Sequence, residues 1–314
     1  MSDSVSVAKS DGPGDGGRPE AIRAVPVRHP GRWAGAVVVL VLAAMFVHFL
    51  LTNDALDWPE QRKYLFSPAV MDGLWGTVWL TLAAMVGGIT IGVVLALMRM
   101  SANPLMSGAA WLYLWFFRGT PLYTQLLIWG SIGALLPTVS LGIPFGPEVH
   151  TWETQKLINA ALAAALGLIL NEAAYMAEIV RAGILSVDPG QQEAASALGM
   201  SRMQTMRRIV LPQAMRVIVP PTGNETISML KNTSLVAAVP YAELTWTAQT
   251  IYADTYKVIP MLIMACLWYL LLSSLLMVGQ FYLERYFGRG TSQSERGRSR
   301  LRALGAIRGG GGGQ

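Results

Sequence analysis

The chain has 314 residues, of which 53% are hydrophobic and only 14% charged, and its mean hydropathy is +0.41. This composition excludes an ordinary soluble domain and predicts an all-α integral membrane protein. A formal net charge of +5 is compatible with nucleic-acid binding, but no basic surface interleaved with aromatic residues occurs, so no nucleic-acid partner is expected.

Six apolar segments are each long enough to cross a lipid bilayer as a helix. The first, at residues 32–52, is too long for a cleavable signal and no A-x-A-like site follows it, so we expect it to remain. The tails at residues 1–31 and 288–314 are rich in Gly, Ser, Pro and Arg and are predicted to be disordered. The predicted spans are residues 33–51, 74–98, 111–135, 160–180, 217–239 and 258–281.

Basic side chains are distributed unevenly between the two ends of these spans. With the N-terminus in the cytoplasm, 18 lysines and arginines fall in the inner loops and tails and four in the outer loops. Because basic loops stay on the cytoplasmic side, both termini are expected in the cytoplasm of a bacterial inner membrane. The polar loop after the fourth span then also lies inside.

The third and fourth spans contain polar residues that hydropathy alone does not explain. Arg118 opens an RGTP segment, which is interpreted as a point where the third span unwinds. In the fourth span, Asn171, Glu172, Tyr175 and Glu178 share one helical face. Ionisable residues inside spans are rare and mark either a pathway or a pairing between helices.

A polar, basic break at residues 188–212 follows the fourth span. It begins with a capping-box pattern, which predicts a short helix, and Gly199 suits the C′ position that ends it. Ser201 and Gln204 form a second box, which predicts a second helix that Pro212 interrupts. Two short helices bent at a glycine would form a compact knob that fits a cleft. The residues of the first box are Asp188, Pro189 and Gln191.

The fifth span is the least hydrophobic of the six. Its Pro-Pro-x-Gly run, ending at Gly223, is predicted to break the helical hydrogen-bond ladder. A charge at a helix centre costs about 2.5–3.5 kcal/mol, so the charged residues should face a bundle interior or a wet cavity. Asn224 and Glu225 are expected to line a path, because Gly223 lets another backbone approach. The polar residues of this span are Asn224, Glu225, Lys231 and Asn232.

Two interpretations of the intramembrane polar groups remain open. They bind the ammonium and carboxylate of a passing amino acid, or Glu172, Glu178, Glu225, Arg118 and Lys231 pair with one another and hold the helices together. For Arg118 the structural interpretation is favoured.

The break after the fourth span resembles the EAA loop of permease subunits of bacterial ATP-binding-cassette (ABC) importers. The resemblance extends over residues 70–287 and narrows to the polar amino acid branch, which includes histidine and glutamine permeases. It implies a type I ABC importer permease bundle, commonly of five spans, so residues 32–52 would be an N-terminal addition. It is carried by the EAA-like residues Glu193, Ala194, Ala195, Gly199, Ile209, Leu211 and Pro212, and by residues 73–84, 116–126, 171–184 and 223–235.

The resemblance also implies partners. A cytoplasmic ABC ATPase dimer would bind ATP–Mg and seat the EAA-like residues, and a second permease, identical or a sister, would complete the path. An external solute-binding protein would deliver the polar amino acid, for which glutamate, glutamine, cystine, arginine and histidine remain possible. None of the five lysines follows a glycine, so the chain has no P-loop and is not expected to be the ATPase.

Two other classes of protein share some of these sequence features. An ion-coupled secondary transporter of small polar solutes could also use intramembrane carboxylates and broken helices, but no internal repeat is evident and such a protein needs no docking knob. A membrane enzyme would need clustered catalytic groups, whereas His29, His48 and His150 are scattered and Cys266 stands alone. No catalytic or metal-binding residues are therefore expected.

Overall fold

A computed structural model describes residues 30–142 and 148–287. The tails predicted to be disordered lie outside the described residues, except that residues 30 and 31 begin the first helix. The described chain is mostly helical, as predicted. Its helices are α1 Pro30–Thr52, α2 Trp58–Leu65, α3 Pro68–Arg99, α4 Pro104–Gly119, α5 Leu122–Gly130, α6 Ile132–Leu135, α7 Thr154–Leu157, α8 Ala160–Leu185, α9 Pro189–Ala197, α10 Arg202–Thr205, α11 Leu211–Asn232, α12 Leu244–Thr255 and α13 Val258–Phe287.

Two compact units divide the chain, the first ending at Asn53 and the second beginning at Asp54. Helix α1 is the described part of the first unit. It is one of four described helices that are long and apolar enough to cross a membrane, with α3, α8 and α13. The third predicted span is broken and the fifth is polar, so neither is among these four.

Helices α3 and α8 form the centre of the second unit and run in the same direction. Their contact uses glycine: a Cβ at Gly88 would lie 2.5 Å from Cγ of Glu172, and one at Gly92 would lie 2.7 Å from Cβ of Met176. Small residues allow membrane helices to approach closely and gain dispersion energy. Buried apolar side chains of α3, α5, α8 and α11 complete this core.

The third predicted span, residues 111–135, is not one helix but is divided among α4, α5 and the short α6. Helix α4 ends at Gly119, Thr120 is extended with φ −117° and ψ 146°, and α5 begins after Pro121. Proline disfavours helical backbone in the residue before it, so the unwinding expected at RGTP is confirmed. The buried amide of Gln125 donates to the carbonyl oxygens of Phe117 and Thr120 at 3.0 and 3.1 Å, which satisfies groups that the break leaves without helical donors.

The fifth span is more regular than predicted. Helix α11 continues through Pro220 and Pro221, so the expected break at the Pro-Pro-x-Gly run is wrong. The helix is packed between α8 and α13, and the hydroxyl of Thr222 donates to the carbonyl of Ile218 at 2.8 Å. Such packing and hydroxyl contacts let a membrane helix tolerate proline. A 3₁₀ turn, Thr233–Ala238, ends this span.

A β-hairpin, which the all-helical prediction did not include, lies on the predicted outer side. Strand β1, Thr138–Gly142, pairs antiparallel with β2, Glu148–Glu153, and Val139 lies opposite Trp152. Helix α12 occupies most of the other predicted outer segment. Its N-terminus is capped by Glu243, whose carboxylate accepts from the amides of Thr245 and Trp246.

An ion pair joins distant parts of the second unit outside the spans. Lys257, just before α13, donates to the carboxylate of Asp57 at 2.8 Å. The hydrogen bond to Lys257 lowers the pKa of Asp57, and the same bond raises the pKa of Lys257. The pair therefore stays charged at neutral pH and holds the start of α2 near the start of α13.

Candidate translocation site and coupling segment

The segment between α8 and α11 forms the predicted knob, with one change in its capping. Asp188 caps α9 through the amide of Gly190 at 2.8 Å, while the amide of Gln191 bonds the backbone carbonyl of Asp188. The first cap is therefore not the full box that was predicted. Gly199 has φ +74°, a left-handed conformation that glycine adopts without strain, and it turns the chain as expected.

The second predicted capping box is confirmed. The hydroxyl of Ser201 accepts from the amide of Gln204 at 3.3 Å, and the side chain of Gln204 accepts from the amide of Ser201 at 2.9 Å. Helix α10 then widens into a π-helical turn, Met206–Val210, and continues into α11 with Pro212 in its first turn. The predicted interruption at Pro212 is wrong, because proline is tolerated in a first helical turn.

The knob presents a mixed surface. Glu193 and Ala194 are exposed, whereas Ala195 is 1% exposed and packs inward. Leu198 and Met203 are also exposed on the knob, at 81% and 67%. The remaining predicted coupling residues are Ile209, half-buried, and Leu211 and Pro212, both exposed.

A polar cavity of about 580 Å³ lies where α8 and α11 face the break between α4 and α5. Six of the nine residues predicted for a substrate path line this cavity, and they come from three separate spans. Sequence reasoning missed Ser228, which also lines it. The six are Arg118, Asn171, Glu172, Tyr175, Glu225 and Asn232.

Glu172 is the most confined group at this cavity. Its side chain is 2% exposed, and Oε1 has no hydrogen-bond partner among the described residues. Neighbouring Asn171 is held in place, donating to the carbonyl of Phe117 at 3.0 Å and to Oε1 of Gln125 at 3.1 Å. A buried carboxyl oxygen without a donor is costly, so any donor that gains access to Oε1 would stabilise this position.

Arg118, near the end of α4, also lines this cavity. Its guanidinium is 5.5 Å from the ring centroid of Tyr175, within the range of a cation–π contact. The ionisable groups lining the cavity are thus two carboxyl groups, Glu172 and Glu225, and the guanidinium of Arg118. This set can pair with both the amino group and the carboxylate of an amino acid.

The other three predicted path residues do not line the cavity. Asn224 accepts from the amide of Gln280 on α13 at 2.8 Å, and Lys231 is exposed. Glu178 pairs with Arg181 at 2.7 Å. No ion pair joins any two of the five charged residues considered for mutual pairing, within the part of the chain that the structure describes.

A second cavity, of about 440 Å³, lies between α3, α8 and α11. Almost all of its lining is apolar, with side chains such as Val93, Val180 and Ile218. An apolar cavity cannot replace the hydration of a charged solute. Of the two cavities, the one at Glu172 has the polar lining that a charged solute requires. Across residues 30–142 and 148–287, no cluster of His, Cys, Asp and Glu could hold a metal ion.

Comparison with known families decides the class of this protein. Residues 88–289 match the family model described as "Binding-protein-dependent transport system inner membrane component". The chain belongs to this family. It is thus a permease subunit rather than an enzyme, and hydrolysis of ATP is carried out by a separate subunit. The matched region contains the whole knob and all of the cavity's lining residues.

Curated relatives of this permease agree with the polar amino acid branch. An arginine transport system permease protein of Corynebacterium glutamicum is 50% identical over 288 residues, covering 91% of this chain and 89% of the relative. An L-cystine transport system permease protein of Bacillus subtilis is 34% identical, covering 76% of this chain and 95% of the relative. The resemblance stated from the sequence is confirmed.

Solved structures support the fold of this permease. A chain from a crystal structure of an amino acid ABC transporter with histidines aligns with a TM-score of 0.59 and 34% identity, covering 70% of this chain and 95% of that one. A chain from an inward-facing methionine ABC transporter aligns with a TM-score of 0.54 at 21% identity, which supports the fold alone. The type I importer permease fold is thereby confirmed.

Proposed function

We propose that this permease subunit of an ATP-driven amino acid importer passes cationic amino acids, with arginine as the best fit, through the cavity at Glu172. The observation that carries the proposal is the buried, unpartnered Oε1 of Glu172 in a cavity that also holds Glu225. The name of the 50% identical relative, an arginine transport permease, supports the same substrate.

The cavity offers a partner to each end of such a substrate. A guanidinium or ammonium group donates to Glu172 and Glu225, and hydrogen bonds to a charged group contribute about 1.5–3 kcal/mol each. The α-carboxylate binds the guanidinium of Arg118, which the ring of Tyr175 supports from one face. The cavity is open at one side, which favours passage over tight retention.

Several partners complete the path in this proposal. A second permease, identical or a sister, encloses the open side of the cavity, and a solute-binding protein delivers substrate near the hairpin and α12. A cytoplasmic ATPase dimer binds ATP–Mg and receives the knob. Both termini lie in the cytoplasm, because the 18 to 4 distribution of basic residues places the knob there as well.

The role of the cavity is tested by substitutions that remove a carboxylate charge and keep the size of the side chain. In the reconstituted complex, Glu172→Gln and Glu225→Gln are each expected to lower uptake of labelled arginine about tenfold or more, because each removes a charge-assisted bond. Asp54→Asn, which removes an exposed carboxylate of the 3₁₀ turn before α2, should leave uptake unchanged. Complex assembly is followed by size-exclusion chromatography.

Two results would count against the proposal. Unchanged arginine uptake in both cavity variants would remove the carboxylates from the path. Loss of complex assembly, instead of loss of uptake by an assembled complex, would support the interpretation that these groups hold helices together.

A further inference from the structure

A second polar cleft, which we call the arginine cleft, shares Arg118 with the cavity but lies between α3, α4 and α8. It has a volume of about 430 Å³. The amino acid path uses none of its other charged residues. Three arginines, one glutamate and two tryptophans dominate its lining: Arg99, Arg118, Arg181, Glu178, Trp111 and Trp115.

The charges of the arginine cleft do not balance within the chain. Arg181 holds Glu178 with two hydrogen bonds, from Nη2 at 2.7 Å and from Nε at 3.3 Å, so this pair is neutral as a unit. Arg99 and Arg118 form no ion pair with any residue in the described ranges. Two positive charges therefore share the cleft without an acidic counterpart of their own, which favours an anion.

The guanidinium of Arg118 remains able to donate hydrogen bonds into the cleft. Its Cζ lies 5.5 Å from the ring centroid of Tyr175, and it forms no ion pair with a described residue. The N–H groups point along the edges of the guanidinium plane, in the fork that suits carboxylate and phosphate oxygens. The side chain is exposed, so an anion can reach it.

One wall of the cleft is aromatic and faces away from the core. Trp111 and Trp115 are stacked with centroids 6.4 Å apart and planes 15° apart, and they are 52% and 61% exposed. Leu112 and Phe116 on the same helix are exposed as well. In a membrane helix such a face contacts acyl chains, and tryptophan concentrates at the level of the headgroups.

The depth of the cleft agrees with that level. Arg99 is the last residue of α3, and Arg181 lies in the last two turns of α8. Both helices end there, at the edge of the membrane core from which the knob extends. Arg99 and Arg181 therefore lie at this end of the bundle, and Arg118 reaches the same cleft from the opposite end of α4.

We propose that the arginine cleft binds the phosphodiester headgroup of an anionic phospholipid. Arg99 and Arg118 donate to the phosphate oxygens, and the two tryptophans cover the glycerol and the first methylenes of the acyl chains. Basic pockets between membrane helices recognise lipid headgroups through this chemistry. Because Arg118 also lines the substrate cavity, the test measures bound lipid and not transport.

The test measures lipid retained by the assembled complex. The full-length complex is purified after exchange into detergent containing a fluorescent phosphatidylglycerol, and bound lipid per chain is measured. The double variant Arg99→Gln, Arg118→Gln should bind phosphatidylglycerol about fivefold more weakly for each arginine lost. The control Arg216→Gln, Arg285→Gln removes two exposed arginines outside the cleft and should retain the lipid.

A second variant separates binding from folding. Arg99→Lys, Arg118→Lys keeps both charges and is expected to retain most of the lipid, with an unchanged size-exclusion profile. The proposal is overturned if the lysine pair loses as much lipid as the glutamine pair, or if the glutamine pair and its control behave alike. It is also overturned if inorganic phosphate displaces the lipid completely, since that result assigns the cleft to a soluble anion.

Discussion

The absence of a Cβ atom at Gly92 sets the distance between the membrane helices α3 and α8. A Cβ at this position would lie 2.7 Å from Cβ of Met176 and 3.0 Å from the backbone oxygen of Ala173. Neither neighbour is the flexible end of a side chain, so the helices themselves would have to separate. One turn away, Gly88 makes the same kind of contact with Glu172, so the spacing of the two helices also positions that side chain.

We therefore expect Gly92→Ala to destabilise the protein by about 1–3 kcal/mol, the usual cost of overpacking a core. Gly108→Ala is the matched control, because the same helical substitution on α4 meets nothing within 4 Å. Alanine is favoured over glycine in helices by about 1 kcal/mol, so the control should be neutral or stabilising. Thermal unfolding in detergent measures both, and equal midpoints would contradict the close contact.

The sequence predicted which polar residues belong to the site, but not which way each side chain points from its helix. Glu172 and Glu225 stand out because charges inside spans are costly. The same reasoning favoured Asn224, which instead bonds Gln280 on α13. One residue along a helix turns a side chain by about 100°, and which face meets the cavity is decided by packing against other helices. Gln125 was missed because its role depends on a break in the helix.

At the scale of elements, the knob is the point where force from the ATPase would enter. Glu193 is exposed on α9, while Ala195 anchors the same helix with only 1% of its surface exposed. Glu193→Lys should thus leave folding intact and disrupt docking. We expect substrate-stimulated ATP hydrolysis by the complex to fall about tenfold or more, as for a central interface residue.

The control for this variant is Asp54→Lys, a charge reversal at an exposed site outside the knob and the hairpin. It should hydrolyse ATP at the wild-type rate. Thermal midpoints of both variants should match that of the wild type. Full coupling in Glu193→Lys would exclude this side chain from the docking surface.

Proline interrupts the helix in the third span but not in the fifth, and the sequence alone does not distinguish the two cases. Pro121 ends α4, where Thr120 is extended, whereas α11 continues through Pro220 and Pro221. The local rule is identical at both places, because each proline removes one amide donor. The difference comes from neighbours: Gln125 stabilises the open carbonyls at the first site, and packing by α8 and α13 supports the second.

At the scale of the whole molecule, hydropathy and motif spacing predicted the membrane class, the family and the approximate positions of the six spans. This succeeded because a bilayer demands long apolar helices and because the knob is capped by local residues. The β-hairpin at Thr138–Glu153 was not predicted. Its strands are only five and six residues long, and so short an alternating pattern is a weak signal.

The central claim is that ATP hydrolysis by a separate subunit drives a cationic amino acid through this permease. The most direct measurement is uptake of labelled arginine into proteoliposomes that contain the complete complex, its solute-binding protein and either ATP or no nucleotide. We predict accumulation only with ATP and a catalytically active ATPase, and no effect of a protonophore. Uptake that persists with an inactive ATPase, or that a protonophore abolishes while ATP is present, would contradict the account.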